Sequence, residues 1–212
     1  MYDDELTYEH EGVPVCIMQD DDPSGVNPRE NTNVGTFLHW HRRYTLGDGQ
    51  ISGTLDDAME RGGLRMLRRY LTLFEGATVV LPVGMLDHSG ISLWVGGGTH
   101  WSDAAGWDSG TVGVIFDTPE SREETGVPLD KVEEALRSEI DEYDKYVRGE
   151  VYGFVVGEGR VEESCFGIIG LDWAKKEAEM CAEAIADDYR RLKQTEAACR
   201  FDPDTLGVAV EA

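Results

Sequence analysis

Apolar residues recur at intervals of three and four in three long segments, which is the spacing of an amphipathic helix. These segments are Thr54 to Phe74, Pro128 to Val147 and Leu171 to Arg200. Gly62 and Gly63 lie inside the first segment, where each glycine costs about 1 kcal/mol relative to alanine. The pattern predicts three main helices. The glycine pair in the first one marks either a break into two helices or a point where another backbone segment passes close to the helix. A further helical turn is predicted over Pro119 to Thr125.

Short β-branched or alternating runs predict the strands. The runs are Val13–Met18, Thr36–His41, Ala77–Met85, Ile91–Val95, Thr111–Phe116, Val151–Val156 and Val161–Ile169. Turn residues at 86–90 and 157–160 join two pairs of these strands into predicted hairpins. Because strand pairs alternate with helices, without a strict strand–helix–strand order, the predicted class is α+β. We expect a mixed or antiparallel sheet with three main helices packed on one face of it.

No repeat or linker divides the chain convincingly. Residues 1–11 are acidic and are predicted to be a disordered N-terminus, and 201–212 form a C-terminal tail. Residues 12–200 are predicted to be a single globular domain. The segment from Gln19 to Asn33 is rich in Asp, Asn and Pro and predicts a long loop, which in a compact domain is usually functional or disordered.

The chain is strongly acidic, with 42 Asp and Glu against 19 Lys and Arg and a net charge of −23. A surface of this sign repels phosphates, so direct nucleic-acid binding is not expected. Two explanations of the acidity remain open. It matches the solvated surface of a protein from a high-salt cytoplasm, where screening suppresses self-repulsion. Alternatively, it imitates the nucleic-acid backbone and occupies a nucleic-acid-binding partner.

The cysteines and the hydropathy indicate a cytoplasmic location. Four cysteines lack the C-x-x-C spacing of a metal or redox site and are predicted to be reduced thiols. No apolar run approaches the roughly 20 residues that a membrane span needs, so no membrane partner is expected. The oligomeric state is not predicted by any of these patterns.

The stretch from Asp87 to Val114 concentrates polar and aromatic residues between predicted strands, where sites are often built. Its candidate catalytic residues are Asp87, His88 and Asp108. The tripeptide Asp87-His88-Ser89 contains the residue types of a nucleophilic triad, but consecutive side chains point apart. Asp-His-Ser-Gly and Trp-Asp-Ser-Gly are also typical turn sequences, so both runs are interpreted first as turns.

His39 and His41 are the candidate metal ligands. Residues two apart on a strand project from the same face, and two imidazoles can share a divalent transition metal. Further ligands would come from the central stretch, where the candidates are Asp87, His88, His100, Asp103 and Asp108. The alternative is that both histidines flank Trp40 as half-buried polar residues of an edge strand.

Arg29, Arg43, Tyr44 and Trp107 are candidate ligand-binding residues. An arginine beside a polar loop can bind an anionic group bidentately. Cationic side chains are scarce in this acidic chain, so these arginines are notable. The alternative is that these arginines are neutralised by neighbouring carboxylates such as Glu30 or Asp48.

Several motifs in a fixed order resemble a set of uncharacterised proteins encoded by tailed phages and other mobile elements. They are NPRE at 27–30, HRRYTLGD at 41–48, DHSGIS at 87–92, WDSGTVGVIF at 107–116 and YVRGEVYGFVV at 146–156. The resemblance extends from about residue 12 to the final helix and implies a viral or proviral origin. It implies no activity. The acidity and the glycine-rich insert before Trp107 depart from the pattern of the set and favour a high-salt host.

Two functional hypotheses follow. The first is a non-enzymatic accessory protein of a virus or mobile element that binds a host factor, either a defence protein, as in counter-defence, or a nucleic-acid-processing protein. The second is a metal-dependent hydrolase or nucleotide-processing enzyme, in which the strand carrying His39 and His41 faces Asp87, His88 and Asp108. The first is preferred, because no catalytic spacing is more specific than its turn interpretation.

Overall fold

The computed structural model describes residues 5–23, 25–103, 105–159 and 161–198. In these residues the strands are β1 Leu6–His10, β2 Val13–Gln19, β3 Gly35–His39, β4 Gly49–Gln50, β5 Val80–Asp87, β6 Ile91–Val95, β7 Ser109–Asp117, β8 Val151–Glu158 and β9 Val161–Ile169. The helices are α1 Thr54–Phe74, α2 Pro119–Thr125, α3 Val132–Val147 and α4 Leu171–Ala198, with 3-10 turns at Pro28–Glu30 and Leu129–Lys131. No described helix has the length and hydropathy that a bilayer crossing requires.

The chain divides into two compact units, whereas a single domain over residues 12–200 was predicted. One unit is continuous, Asp20–Val151, and the other combines Met1–Gln19 with Tyr152–Ala212. The continuous unit interrupts two neighbouring antiparallel strands, because β2 ends at Gln19 opposite Tyr152 of β8. The Asp20 N–H donates to the Val151 carbonyl at 2.9 Å, so the unit begins and ends at the same place.

The discontinuous unit is a four-stranded sheet, in the order β1-β2-β8-β9, covered by α4. Small residues at helical spacing let α4 lie close to the sheet, and they pack against inward-facing residues of the strands. The buried positions on α4 are Ala174, Ala178, Ala182, Ile185 and Ala186. Tyr189 and Leu192 continue the apolar spacing of the helix but are exposed.

The continuous unit is a five-stranded mixed sheet in the order β4-β3-β7-β5-β6, with only β3 and β4 parallel among its described pairs. Alternate residues of β7 enter two cores: Ile115 packs with α3, while Val114 and Phe116 pack with α1. Because successive side chains of a strand point to opposite faces, α1 and α3 cover opposite faces of this sheet. The predicted arrangement, with all helices on one face of one sheet, is therefore wrong, although the α+β class is confirmed.

A β-bulge lies in β7 beside the candidate site. Val83 pairs with Gly113 and Gly84 with Thr111, so that Val112 is an extra residue on β7. Val112 consequently packs in the same core as Ile115, three positions later. A bulge bends its strand and redirects the neighbouring side chains. Here the residues before the bulge, 109–111, directly follow the loop over 96–108.

Two further predictions are corrected at the N-terminus and at β3. Residues 6–10 form β1, paired with β2 from Leu6↔Ile17 to His10↔Val13, so this part of the predicted disordered segment is a strand. Strand β3 ends at His39, and His41 lies beyond it. Residues 1–4 and the predicted tail at 201–212 lie outside the described residues, as does Cys199. The other cysteines are free thiols.

Candidate functional site

A pocket of about 570 Å³ opens where β5 ends and β7 begins. Its position follows from strand pairing, since the Asp87 N–H donates to the Asp108 carbonyl at 2.8 Å and Leu86 pairs with Ser109. Charged and aromatic residues of its lining are His41, Arg42, Arg43, Asp87, Trp107 and Asp108. Most of the predicted site residues therefore meet, and we call this cavity the β5–β7 pocket.

Asp87 anchors the segment that follows β3. The Arg43 Nη1 donates to Asp87 Oδ2 at 2.9 Å, and the Tyr44 hydroxyl lies 3.1 Å from both carboxylate oxygens. The Tyr44 phenol, followed by the charge of Asp87, raises the pKa of the Arg43 guanidinium. Asp87 is thus engaged by two neighbours and serves to position Arg43 and Tyr44 at the pocket.

His41 has a defined tautomer. Its Nδ1 accepts hydrogen bonds from the backbone N–H groups of Arg43, at 3.4 Å, and Tyr44, at 3.2 Å. Its ring also stacks on Tyr44, with centroids 5.2 Å apart and planes 11° from parallel. When neutral, an imidazole whose Nδ1 accepts must carry its proton on Nε2. Nε2 is therefore the ring nitrogen left to act on a ligand.

Asp103 organises the loop at 96–108. It accepts hydrogen bonds from the N–H of Trp107 at 3.2 Å, the N–H of Asp108 at 2.9 Å and the Ser109 hydroxyl at 2.8 Å. The Ser109 hydroxyl, followed by the Asp108 N–H, lowers the pKa of Asp103. Trp107 and Asp108 form a bend held by Asp103, whereas Ser109 and Gly110 already belong to β7, so the interpretation of Trp-Asp-Ser-Gly as a turn holds only for its first two residues.

Two tryptophans on this loop are exposed. Trp101 and Trp107 each have 88% of their surface accessible, more than any other large hydrophobic residue described. The His100 ring contacts two tryptophan rings, with its centroid 5.0 Å from that of Trp94 and 5.3 Å from that of Trp101. Exposed indoles on a loop held by hydrogen bonds are typical of a recognition surface rather than of a solvated loop.

His88 and Asp108 form an exposed pair, with His88 Nδ1 and Asp108 Oδ2 3.1 Å apart. His88 belongs to the turn after β5, where its N–H donates to the Gly90 carbonyl at 3.1 Å and Ser89 has a positive φ of 58°. Asp87, His88 and Ser89 do not form a triad, because Asp87 bonds to Arg43 and Tyr44 and His88 to Asp108. The turn interpretation of this tripeptide is confirmed.

His39 lies in the sheet with only 3% of its surface exposed, and its Nδ1 has no hydrogen-bond partner among the described atoms. Burial, followed by the nearby charge of His41, lowers the pKa of His39. It does not line the β5–β7 pocket, so the strand geometry proposed for a shared metal is absent. Within the described residues, no group of three or more His, Cys, Asp or Glu is arranged to hold a metal ion.

Arg29 is a buried structural residue, and its prediction as a ligand-binding residue is wrong. Its Nε and Nη2 donate to the two carboxylate oxygens of Asp48 at 3.0 and 2.6 Å, and its Nη1 donates to Glu139 at 2.9 Å. The alternative, neutralisation by Asp48, is confirmed. Glu139 also accepts from the Val34 N–H at 2.8 Å, so this cluster fixes the long loop against α3 and β3.

Sequence reasoning missed the prominence of Trp101 and Arg42. Arg42 is exposed at the pocket, and no described carboxylate pairs with it. The signal for Trp101 was available, since a tryptophan in a glycine-rich polar loop has no apolar pattern that would bury it. No such signal existed for Arg42, whose neighbour Arg43 has the same residue type and a different environment.

The chain matches no protein-family model, no curated protein and no solved structure at a significant level.

Proposed function

We propose that this is a binding protein, an accessory protein of a virus or mobile element that acts on a host protein. The observation that carries the binding role is the pair of exposed indoles of Trp101 and Trp107, the latter on the wall of the β5–β7 pocket. Tryptophan, tyrosine and arginine are the residues that most often dominate protein–protein affinity. The viral or mobile origin rests on the motif resemblance alone.

The pocket complements the indoles with polar groups of both signs. Arg42 is free to pair with a carboxylate of a partner, whereas Arg43 is already held by Asp87 at 2.9 Å. A partner that covers the exposed indoles displaces water from the pocket, which strengthens such a pair. The indoles thus supply the apolar contact, and Arg42 supplies orientation.

Affinity capture from host lysate, at the salt concentration of the host cytoplasm, tests this proposal. We expect a stoichiometric partner with the wild type and its loss with the Trp101→Ala/Trp107→Ala double variant. Trp173→Ala removes another half-exposed indole, on α4, and is the matched control. With the purified partner, loss of one dominant tryptophan should weaken binding about thirtyfold or more, equivalent to at least about 2 kcal/mol.

Two outcomes would reject the binding role of the loop. One is that no partner is captured by the wild type, and the other is that the double variant and the Trp173→Ala control capture the same partner equally. Expression of the protein in the host, with neither toxicity nor protection against infection, would count against the counter-defence part of the proposal.

A second candidate function, a metal-dependent hydrolase or nucleotide-processing enzyme, is favoured by one observation. His41, Asp87 and Asp108 line the same pocket. They are not grouped as a metal site among the described residues, so an ion would have to draw the two carboxylates together and take Nε2 of His41 after its proton moves to Nδ1. Calorimetric titration with Zn²⁺ and Mn²⁺ tests this candidate, with His41→Ala and Asp108→Asn as variants. Binding abolished by both variants would support the enzyme, and identical titrations of all three proteins would reject it.

A further inference from the structure

A kink in α1 creates a groove on the helix itself. Gly62 and Gly63 have non-helical backbone angles, and Gly63 has φ 59° and ψ −154°, a region that side chains beyond glycine rarely adopt. Residues from both halves of the helix line a cavity of about 270 Å³. Thr54, Asp57, Ala58 and Arg61 come from the first half, and Met66, Arg69, Tyr70, Leu73 and Phe74 come from the second, so the lining holds one carboxylate beside two guanidinium groups. We call this cavity the α1 groove.

The apolar stripe of α1 continues past the part that the sheet covers. Leu67 and Leu71 are fully buried, whereas Leu73 and Phe74 are 62% and 71% exposed. Phe74 lies seven residues after Leu67 and therefore on the same side of the helix. Its ring lies 4.8 Å from that of Tyr70. The helix thus presents the aromatic pair Tyr70 and Phe74 beside the groove, although Phe74 belongs to the apolar spacing that usually faces a core.

The same segment is the most basic part of an acidic chain. Residues 63–74 include Arg65, Arg68 and Arg69 and contain no Asp or Glu. Arg68 donates to the Val80 carbonyl at 3.1 and 2.6 Å and so has a structural role. Arg61 and Arg69, both lining the groove, have no ion-pair partner in the described part of the chain. Many guanidinium groups elsewhere are paired with carboxylates, among them those of Arg29, Arg43, Arg122, Arg137, Arg148 and Arg190, although Arg42 at the β5–β7 pocket is not.

We propose that the α1 groove is a docking site for an acidic peptide segment of a partner protein, one that carries a bulky apolar side chain. The volume is below the roughly 300–1,000 Å³ of small-molecule pockets and suits an inserted side chain. Arg61 and Arg69 complement carboxylates, which guanidinium groups bind bidentately. The net charge of −23 opposes the alternative polyanion, a nucleic acid, whose phosphates extend along the acidic surface.

This docking site is separate from the β5–β7 pocket and does not depend on the function proposed for it. None of the groove-lining residues lines that pocket. An amphipathic acidic helix is the peptide form that a groove of this kind accommodates, with its apolar side chains at one face and its carboxylates beside them.

Fluorescence anisotropy with a short labelled peptide tests the proposal. The peptide carries Leu and Phe on one helical face and Glu on the other. A second peptide replaces each Glu with Gln, a third replaces Leu and Phe with Ser, and a single-stranded oligodeoxynucleotide of similar charge is the fourth probe. We expect the full-length protein to bind the first peptide at least about tenfold more tightly than each of the others, as loss of charge-assisted hydrogen bonds implies.

Protein variants locate the binding. Arg61→Gln/Arg69→Gln and Phe74→Ser should each weaken binding of the first peptide about tenfold or more, while Arg137→Gln, an exposed arginine on α3, leaves it unchanged. All four positions are at the surface, so circular dichroism and melting temperature should match the wild type. Equal binding by all variants, no binding of the first peptide, or tighter binding of the oligonucleotide would each overturn the proposal.

Discussion

Arg29 illustrates how a single buried charge is tied into the fold. Burial by itself lowers the pKa of its guanidinium, but the hydrogen bonds and charges of Asp48 and Glu139 outweigh burial and raise it. The cluster joins the loop after β2, the segment before β4 and helix α3. The cluster is therefore a structural connection. Arg29 is neutralised by Asp48 and Glu139, and both carboxylates are in turn neutralised by Arg29.

Replacing Arg29 by Met should destabilise the protein by about 3–5 kcal/mol, because Asp48 and Glu139 are then left close together without a cation. Urea unfolding followed by circular dichroism measures the change. Arg137→Met removes an exposed pair with Glu133 at 2.8 Å and should change the free energy of unfolding by less than about 1 kcal/mol. A loss at Arg29 no larger than this control would contradict the structural role.

Asp117 is a fully buried carboxylate at the end of β7. Burial alone raises its pKa, but hydrogen bonds from the Thr78 hydroxyl, the N–H groups of Val79 and Thr78, and the Arg122 guanidinium outweigh burial and lower it. A lowered pKa in the folded state means that ionised Asp117 stabilises the fold above the unfolded-state pKa. This stabilisation disappears as the pH falls through the folded-state pKa.

Asp117→Asn should therefore lower the free energy of unfolding by about 1–3 kcal/mol at neutral pH. The difference from wild type should shrink as the pH falls below the ordinary Asp value of 3.8. Denaturant unfolding at a series of pH values measures it. Asp141→Asn, at an exposed position on α3, should give no such pH-dependent difference, and a gap that stays constant at Asp117 down to acid pH would contradict the assignment.

At the scale of elements, the loop at 96–108 shows how side chains substitute for regular structure. Its glycines provide no side-chain contacts, and Asp103 instead accepts three hydrogen bonds from the residues that lead into β7. The loop is thereby held where Trp107 lines the β5–β7 pocket. Loss of this carboxylate should free the indole without affecting the sheet.

Asp103→Ala should accelerate hydrogen exchange at the amides of Trp107 and Asp108 about tenfold or more, since lost hydrogen bonds lower the local free energy of opening. Amide exchange in the β5 and β7 centres should remain as in wild type. Ser102→Ala is the control, because the Ser102 hydroxyl contacts only the His100 ring at 2.6 Å in the described contacts. Unchanged exchange at both amides would show that Asp103 does not hold the loop.

Element type was predictable wherever burial imposes a period. The three long helices and the first strand of each hairpin follow apolar patterns, and the kink of α1 lies at the predicted glycine pair. Strand β1 was missed although Leu6 and Tyr8 alternate with Thr7 and Glu9, because the acidity of residues 1–11 indicated a disordered terminus. Its strand conformation comes from backbone hydrogen bonds with β2, and these bonds do not depend on which side chains the strand carries.

At the scale of the whole molecule, acidity sets the response to salt. The net charge of −23 is self-repulsive, and raising ionic strength from about 0.1 to 1 M shortens the screening length from about 10 to 3 Å. The melting temperature should therefore rise with NaCl concentration by several degrees. Scanning calorimetry measures it, with KCl as a second salt, and a melting temperature that falls over this range would contradict a high-salt adaptation.

The division into two units was not predictable from composition. Domain boundaries usually contain polar, Gly- or Pro-rich linkers, but here the chain passes from Gln19 to Asp20 and from Val151 to Tyr152 at the ends of paired strands. A unit that enters and leaves between two hydrogen-bonded strands needs no linker. The sequence therefore contains no boundary signal at these positions, and the single domain over residues 12–200 stays a prediction.

The sequence by itself determined the element types, the charge and the chemistry available in the central stretch, because these depend on contiguous residues and their periodicity. Only the tertiary structure decided which groups meet. Pairing of β5 with β7 brings Asp87 to Asp108, and the Arg29–Glu139 contact joins residues 110 positions apart. Such contacts depend on strand order and register, which local sequence patterns do not encode. Only these contacts distinguish the buried Arg29 from the exposed Arg42, which is available to a partner.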